Sequence, residues 1–471
     1  MALAQTSRVS DSPRRYQDVS YWLSSAGPLA PRPPLDGSIR ADVAILGAGF
    51  TGLWTAIELL RREPGLKVVI LEREIAGFGA SGRNGGWCTA DLNASLTLLT
   101  RRFGAAGARA VQQAMYGAVD EVGRAAAEEG IDADFDKAGV LMLARGRHQV
   151  PAVEAAYREY AEAGFGDRYQ LLDQAACAER VAVDRAEAGL YSADGAVVHP
   201  GKLVRGLAEA VERRGGIIHE KTAVTRYTTG ARPSLVTDRG TVSADVVVLA
   251  GEAYLTELPP LHRRLLPIYS LIVMTEPVSD SQLAEIGWRR RLCLASMRLT
   301  IDYLSRTQDG RILFGGRGAP YNFGSAIKPQ TERHAPTHAM LRSMFADWFP
   351  SLASVPFSHA WGGVLGMPRD WIPSFSYDRG QGVAIAGGYT GHGVATSNLA
   401  GRVLADLITG RRTELTELPL VGHRSPTWEP EPIRWLGARI VQTGLARVDG
   451  RAERSDRPPT GRSLAERLSR H

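Results

Sequence analysis

The chain has 471 residues, 44% of them hydrophobic and 23% charged, with a formal net charge of +6 at neutral pH. That length suits two or three folding units, and that much apolar material excludes intrinsic disorder for the bulk of the chain. No apolar run approaches the roughly 18 residues of a membrane-spanning helix, so no membrane span is expected.

Residues 1–40 read as an irregular arm that ends in the proline-rich PLAPRPPLDG. The apolar run ADVAIL then breaks into glycines, LWTAIELLRRE follows with helical spacing, and KVVILER reads as a second strand. Strand, glycine turn, helix and strand make one βαβ unit. Residues 105–130 are Ala-rich and helical, and 139–144 (GVLMLA) suit a strand of a different sheet. PGKLVRGLAEAVERRGG is an amphipathic helix with a glycine stop, and DVVVLAG is another buried strand. From 266 to 317 strands dominate, with a hairpin around Gln308-Asp309-Gly310. VAIAGGY and SNLAGRVLADLITG close the pattern as a last buried strand and helix.

The βαβ character thus returns at the start, middle and end. The expected architecture is α/β: a Rossmann-like nucleotide domain from 41–100, 195–265 and 360–415, with an inserted α+β domain from 101–194 and 266–359 carrying a mainly antiparallel sheet. Residues 416–471 are expected as a partly disordered surface tail. Ten Arg against six acidic residues in 421–471 place most of the charge excess there. No basic recognition motif accompanies it, so no nucleic-acid partner is expected. Three scattered cysteines, Cys88, Cys177 and Cys293, suit neither a disulfide framework nor a metal site. The N-terminal stretch lacks the apolar segment of a signal peptide, so a cytoplasmic location is expected.

The most specific motif is Gly47-Ala48-Gly49-Phe50-Thr51-Gly52, because it follows a buried strand and opens a helix. Gly47 permits the tight turn, Gly49 the approach of a pyrophosphate, and Gly52 close helix–strand packing. The helix N-terminus offers N–H groups and a positive dipole to phosphate. Glu72, ending the second strand 20 residues after Gly52, can accept hydrogen bonds from ribose hydroxyls and would repel a 2′-phosphate. Gly77-Phe78-Gly79-Ala80-Ser81-Gly82-Arg83-Asn84-Gly85-Gly86 is a second glycine-rich loop whose amides can meet an anion. Its Arg83 could neutralise a phosphate or charge on a flavin ring.

The segments ADVAILGAGFTGLWTA, LERE, GFGASGRNGGW, GAVVHPGKLVRGLAEA, DVVVLAG and GGYTGHGVATSNLAGRVLADLITG occur in an order that resembles the FAD-dependent D-amino-acid-oxidase-like enzymes. GASGRNGG is most similar to the gamma-glutamylputrescine oxidase group of amine oxidases, and the likeness covers roughly residues 20–415. The resemblance implies FAD held by Gly47, Gly49, Phe50, Thr51, Gly52, Glu72 and Arg73. It also implies contacts from the second loop through Gly79, Ser81, Arg83, Asn84, Gly85 and Gly86. Val224 is implied beside the adenine, Ala250 and Gly251 beside the phosphates, and Gly388, Gly391, His392 and Gly393 at the isoalloxazine. His392 either faces the ring or caps the turn. His199, followed by Pro200, reads as the start of a helix rather than as a base.

The implied reaction is oxidation of an amine C–N bond by hydride transfer to flavin N5, giving an imine that hydrolyses to an aldehyde or keto acid. A small-molecule amine or amino acid is the expected substrate, and oxygen or an electron-accepting protein the expected oxidant. Pocket candidates are Tyr303, Arg306, Trp361, Tyr389 and His392, with Tyr303, Tyr389 and His392 nearest to the chemistry. A sarcosine- or glycine-type amino-acid oxidase would in addition need a cation such as Arg306 or Arg317 for the substrate carboxylate. A flavin monooxygenase is the other enzymatic reading, disfavoured by GGYTGHG where a Gly-Asp flavin motif would stand. A non-enzymatic reading is an FAD-stabilised subunit of a larger dehydrogenase. Attachment of the flavin is expected to be non-covalent, because no cysteine follows Cys293 and no histidine precedes His148.

Overall fold

A computed structural model describes residues 15–469. Four sheets organise it. The six-stranded sheet runs Ser374–Asp378, Val383–Gly387, Val246–Leu249, Val43–Leu46, Val68–Leu71, Ile217–His219, and all but the first strand are parallel. These strands are near-continuous Val/Ile/Leu runs because the sheet is covered on both faces. One cover is the helix Phe50–Arg62, which crosses the helix Gly393–Thr409 so closely that a Cβ on Gly401 would lie 2.6 Å from that of Trp54. The helix Pro200–Arg213 buries Leu203, Val204, Leu207 and Val211 and exposes Glu209 and Glu212, as its sequence pattern required.

The eight-stranded sheet runs Phe357–Met367, Leu266–Thr275, Ile312–Arg317, Asp302–Arg306, Cys293–Ser296, Val140–Arg145, Ala186–Ser192, Tyr169–Asp173. It is antiparallel except between Cys293–Ser296 and Val140–Arg145. The hairpin joining Asp302–Arg306 to Ile312–Arg317 turns where Asp309-Gly310 stands, with Gly310 at φ 86°. Two smaller sheets, of four and two strands, lie beside these.

Two segments depart from expectation. The arm, of which 15–40 is described, is structural. Trp22 is 1% exposed and donates its indole N–H to the Asn84 carbonyl at 2.7 Å, while Ser20 donates to the Gly82 carbonyl at 2.6 Å. The arm therefore buttresses the second glycine loop. The tail is not a loose end over its described part: Ile433–Ser455 and Leu464–Ser469 are helices. Asp449 accepts hydrogen bonds from the amides of Leu299 and Thr300 at 3.1 and 2.9 Å, and Glu431 accepts one from the Tyr321 hydroxyl at 2.8 Å. These anchors lie more than a hundred residues away, so no local pattern announces them.

Candidate active site

One cavity of about 580 Å³ runs from the carboxyl ends of the parallel strands to the face of the eight-stranded sheet. At its first end the strand Val43–Leu46 delivers the chain into Gly47, whose φ of 100° only glycine adopts readily. A Cβ there would also meet the Ala250 carbonyl at 2.9 Å. A Cβ on Gly49 would come within 3.0 Å of the Ser81 hydroxyl, and Ser81 in turn accepts the Phe50 amide at 2.9 Å. Glu72 reaches under this turn, accepting the amides of Ala48 and Glu74 at 2.9 Å each, and still lines the cavity. Burial raises its pKa against the pull of those amides.

Gly47, Gly49, Phe50, Thr51, Glu72, Arg73, Gly79, Ser81, Val224, Ala250 and Gly251 all line this cavity. Arg73 is paired with Glu257 and lies 4.9 Å from the Tyr254 ring. Gly49 in the cavity wall, a helix N-terminus directly after it and a carboxylate 23 residues beyond it fit a dinucleotide such as FAD.

Several expected contacts are corrected. Gly52 lies outside the lining; a Cβ there would sit 2.0 Å from the Gly47 carbonyl, so its role is helix–turn packing. Gly86 is also outside; its φ is 75° and a Cβ would meet the Val198 carbonyl at 2.8 Å. Gly388 is outside as well, with φ 82° and Pro368 at 3.1 Å from a Cβ. Arg83 borders the cavity, but its guanidinium is already engaged within the protein, 4.4 Å from the Phe78 ring. It pairs with Glu332 at 2.6 Å and donates to the carbonyls of Phe78 and Gly362. At 3% exposure an arginine needs such a counter-charge. Asn84 spends its amide on the carbonyls of Ala80 and Ser81 and its oxygen on the Gly86 amide, holding the loop's shape. Gly85 is small because the Tyr303 ring would lie 2.5 Å from its Cβ.

The final turn closes the cavity with Tyr389, Thr390, Gly391, His392 and Gly393. Thr390 and Gly391 have φ of 51° and 104°. Glu252, itself at φ 47°, accepts the Gly388 and Tyr389 amides at 3.1 Å each. Burial pushes its carboxyl up to about 7, opposed by the amides of Tyr389 and Gly388. Tyr389 shares a hydrogen bond of 2.8 Å with Thr51, stapling the last turn to the first helix. His392 is the N-cap of Gly393–Thr409, without a side-chain cap bond, and lines the cavity. Burial lowers its pKa, Asp91 raises it and Arg317 lowers it. His199 caps Pro200–Arg213, its Nδ1 accepting the Lys202 amide at 3.0 Å, and burial lowers it to about 4.

On the eight-stranded sheet, Tyr303 shares a 2.8 Å hydrogen bond with Ser270 and burial pushes it up to about 12. Beside it Arg317 faces the cavity with no carboxylate in salt-bridge range among the described residues; burial lowers it to about 10. Its guanidinium lies 5.9 Å from the Trp371 ring. Trp361 and Arg306 do not reach the cavity. Trp361 is 1% exposed and donates to the Arg83 carbonyl, and Arg306 donates to the Arg289 carbonyl. Asp91, Tyr160, Tyr169 and Glu252 also line the site and went unread in the sequence, where each stands without a recognisable motif.

Comparison with known proteins identifies the family and the fold. The sequence profile of the family described as "FAD dependent oxidoreductase" (DAO) matches residues 42–407. Gamma-glutamylputrescine oxidoreductase of Escherichia coli K12 is 31% identical over 393 residues, 83% of this chain and 89% of that protein. Glycine oxidase of Geobacillus kaustophilus is 25% identical over 402 residues, 82% of this chain and 97% of that protein. The crystal structure of glycine oxidase from that organism superposes with a TM-score of 0.65, covering 82% of this chain and 99% of the other at 22% identity. L-proline dehydrogenase from P. horikoshii gives 0.66, with 82% and 96% covered at 20% identity. Among the described residues no helix is long and apolar enough to cross a membrane.

Proposed function

This chain belongs to the FAD-dependent oxidoreductase family, and from that premise we propose that it oxidises the C–N bond of an amine that also carries a carboxylate. Bound FAD supplies the chemistry by accepting a hydride from the carbon bearing the nitrogen. The chain's own residues do the rest. Glycine turns and the first helix would seat the pyrophosphate, and Glu72 the ribose. The amides of the final turn and the N-terminus of Gly393–Thr409 would offset negative charge gained at the flavin edge. His392, with its depressed pKa, is neutral there at physiological pH and adds no charge.

The observation that carries the carboxylate is Arg317, a cation in the cavity wall without an acidic partner among the described residues. A buried cation left so is costly, and a substrate carboxylate would relieve it by bidentate pairing. Gamma-glutamylputrescine and glycine, for which the two relatives are named, both carry such a group. Arg317→Met is expected to raise KM for a carboxylate-bearing amine by about 100-fold, or about 3 kcal/mol, while the flavin stays bound. Equal KM values for the two proteins would remove Arg317 from the substrate. Anaerobic bleaching by an amine panel, followed by admission of oxygen, separates an oxidase from an enzyme that needs another electron acceptor.

A further inference from the structure

The cavity carries a second unpaired charge, of the opposite sign. Asp91 follows the strand Trp87–Thr89 and lines the wall facing the helix Val150–Glu162. Among the described residues its one hydrogen bond is from the Tyr160 hydroxyl at 3.2 Å, and no Lys or Arg lies in salt-bridge range of it. Asp194, the other carboxylate on this wall, is already met by Arg168 at 2.9 Å and Lys137 at 3.7 Å. Tyr160 and Tyr169 stack with centroids 3.9 Å apart, and both border the cavity beside Asp91. Burial holds both phenols in their neutral form. An unpaired carboxylate beside aromatic faces is the chemistry that binds an ammonium, by charge and by cation–π attraction.

Arg317 and Asp91 do not neutralise each other. No ion pair joins them among the described residues: Asp91 stands against Tyr160, whereas Arg317 stands beside Tyr303. His392 alone feels both. It stands at the turn that closes the cavity.

We propose that Asp91, with the Tyr160 and Tyr169 rings, is a subsite for a second ammonium on the substrate. The substrate is then dipolar, with its carboxylate and a non-reacting ammonium on opposite sides of the C–N bond that is oxidised. A diamino monocarboxylic acid is the simplest such molecule. The inference rests on the reading of Arg317 as the carboxylate's partner.

Probes that cannot be oxidised test it on the flavin-loaded protein. 4-(Trimethylammonio)butanoate and its neutral isostere 5,5-dimethylhexanoate share a carboxylate and a shape and differ in the cation. Homologues of each, with three to six methylenes, cover the span. Binding is read by calorimetry and by perturbation of the flavin absorption. At the best length the zwitterion is expected to bind at least tenfold more tightly than its isostere, and Asp91→Asn should reduce that preference to within threefold. Asparagine keeps an acceptor for Tyr160, and flavin content reports whether the variant folds. Should it not fold, the wild-type comparison and its weakening with salt decide. In turnover, a diamino acid should show a KM at least tenfold below that of the amino acid with a methyl group in place of the distal ammonium. Equal binding of zwitterion and isostere at every length, or a preference that survives in Asp91→Asn, overturns the inference. If the alkanoates bind only when Arg317 is present and the zwitterions gain nothing, this subsite alone falls. If neither series binds, the reading of Arg317 falls first.

Discussion

Glu252→Gln should make the stability of the cofactor-free protein less sensitive to pH, and the direction follows from the carboxyl's surroundings. One oxygen accepts the amides of Gly388 and Tyr389, while the other has no hydrogen-bond partner among the described residues. Burial dominates, and the group's pKa rises from 4.5 to about 7. For an acid, a folded-state pKa above the unfolded value means that the fold favours the proton. The stabilisation is complete below about 4.5, falls as pH rises, and is lost by about 7. The shift of 7 − 4.5 = 2.5 units corresponds to at most about 3 kcal/mol, and water in the cavity reduces it. Glutamine keeps a carbonyl for the two amides and has nothing to ionise. Urea midpoints should therefore nearly coincide at pH 5 and separate progressively toward pH 8, with the variant more stable by about 1–3 kcal/mol. A difference that is flat across that range, or one that grows as pH falls, would refute the reasoning.

Gly52→Ala should cut flavin content at least tenfold, because its Cβ would lie 2.0 Å from the Gly47 carbonyl; Gly65→Ala, with nothing within 4 Å, serves as the control and should keep its flavin. Asp449→Ala removes three hydrogen bonds from Leu299 and Thr300, next to the cavity-lining Arg298 and Ile301. It should raise substrate KM about three- to tenfold without altering the flavin spectrum, and an unaltered KM would detach the tail from the site. Acid precipitation should release all the flavin into the supernatant, since Cys88, Cys177 and Cys293 are buried and none lines the cavity; a denatured chain heavier by one FAD would contradict this.

What the sequence reveals depends on the reach of the interaction. The turn Gly47–Gly52 was readable because a strand, glycines at fixed offsets and an amphipathic helix are contiguous. The hairpin at Asp309-Gly310 was readable for the same reason. Arg83 was misjudged because its partner Glu332 stands 249 positions away, and a glycine loop with an arginine suggests an anion whether or not a carboxylate already faces it. Trp361 and Arg306 share strands of the same sheet with Tyr303, yet Arg306, three positions along its strand, faces the other way, and Trp361, on Tyr303's face, is packed into the cluster with Trp22 and bonded to the Arg83 carbonyl. Asp91 gains meaning only beside Tyr160, and that pairing is tertiary. The arm and the tail look irregular in the sequence because proline and arginine hide the burial of Trp22 and the hydrogen bonds that Asp449 accepts from Leu299 and Thr300.

The order of strands in the six-stranded sheet bears on how the chain emerges from the ribosome. Val43–Leu46 and Val68–Leu71 are made first, but Val246–Leu249 and Val383–Gly387, which extend the sheet beside them, follow some 175 and 310 residues later. Until Gly393–Thr409 is synthesised, the Trp54 face of the first helix has no cover and the growing sheet keeps an open apolar edge. Synthesis at about 5–20 residues per second leaves that edge waiting on the order of tens of seconds. The dinucleotide turn at Gly47 is made some 340 residues before the turn at Tyr389 that completes its cradle, so the full seat for the flavin forms only once that last turn has followed.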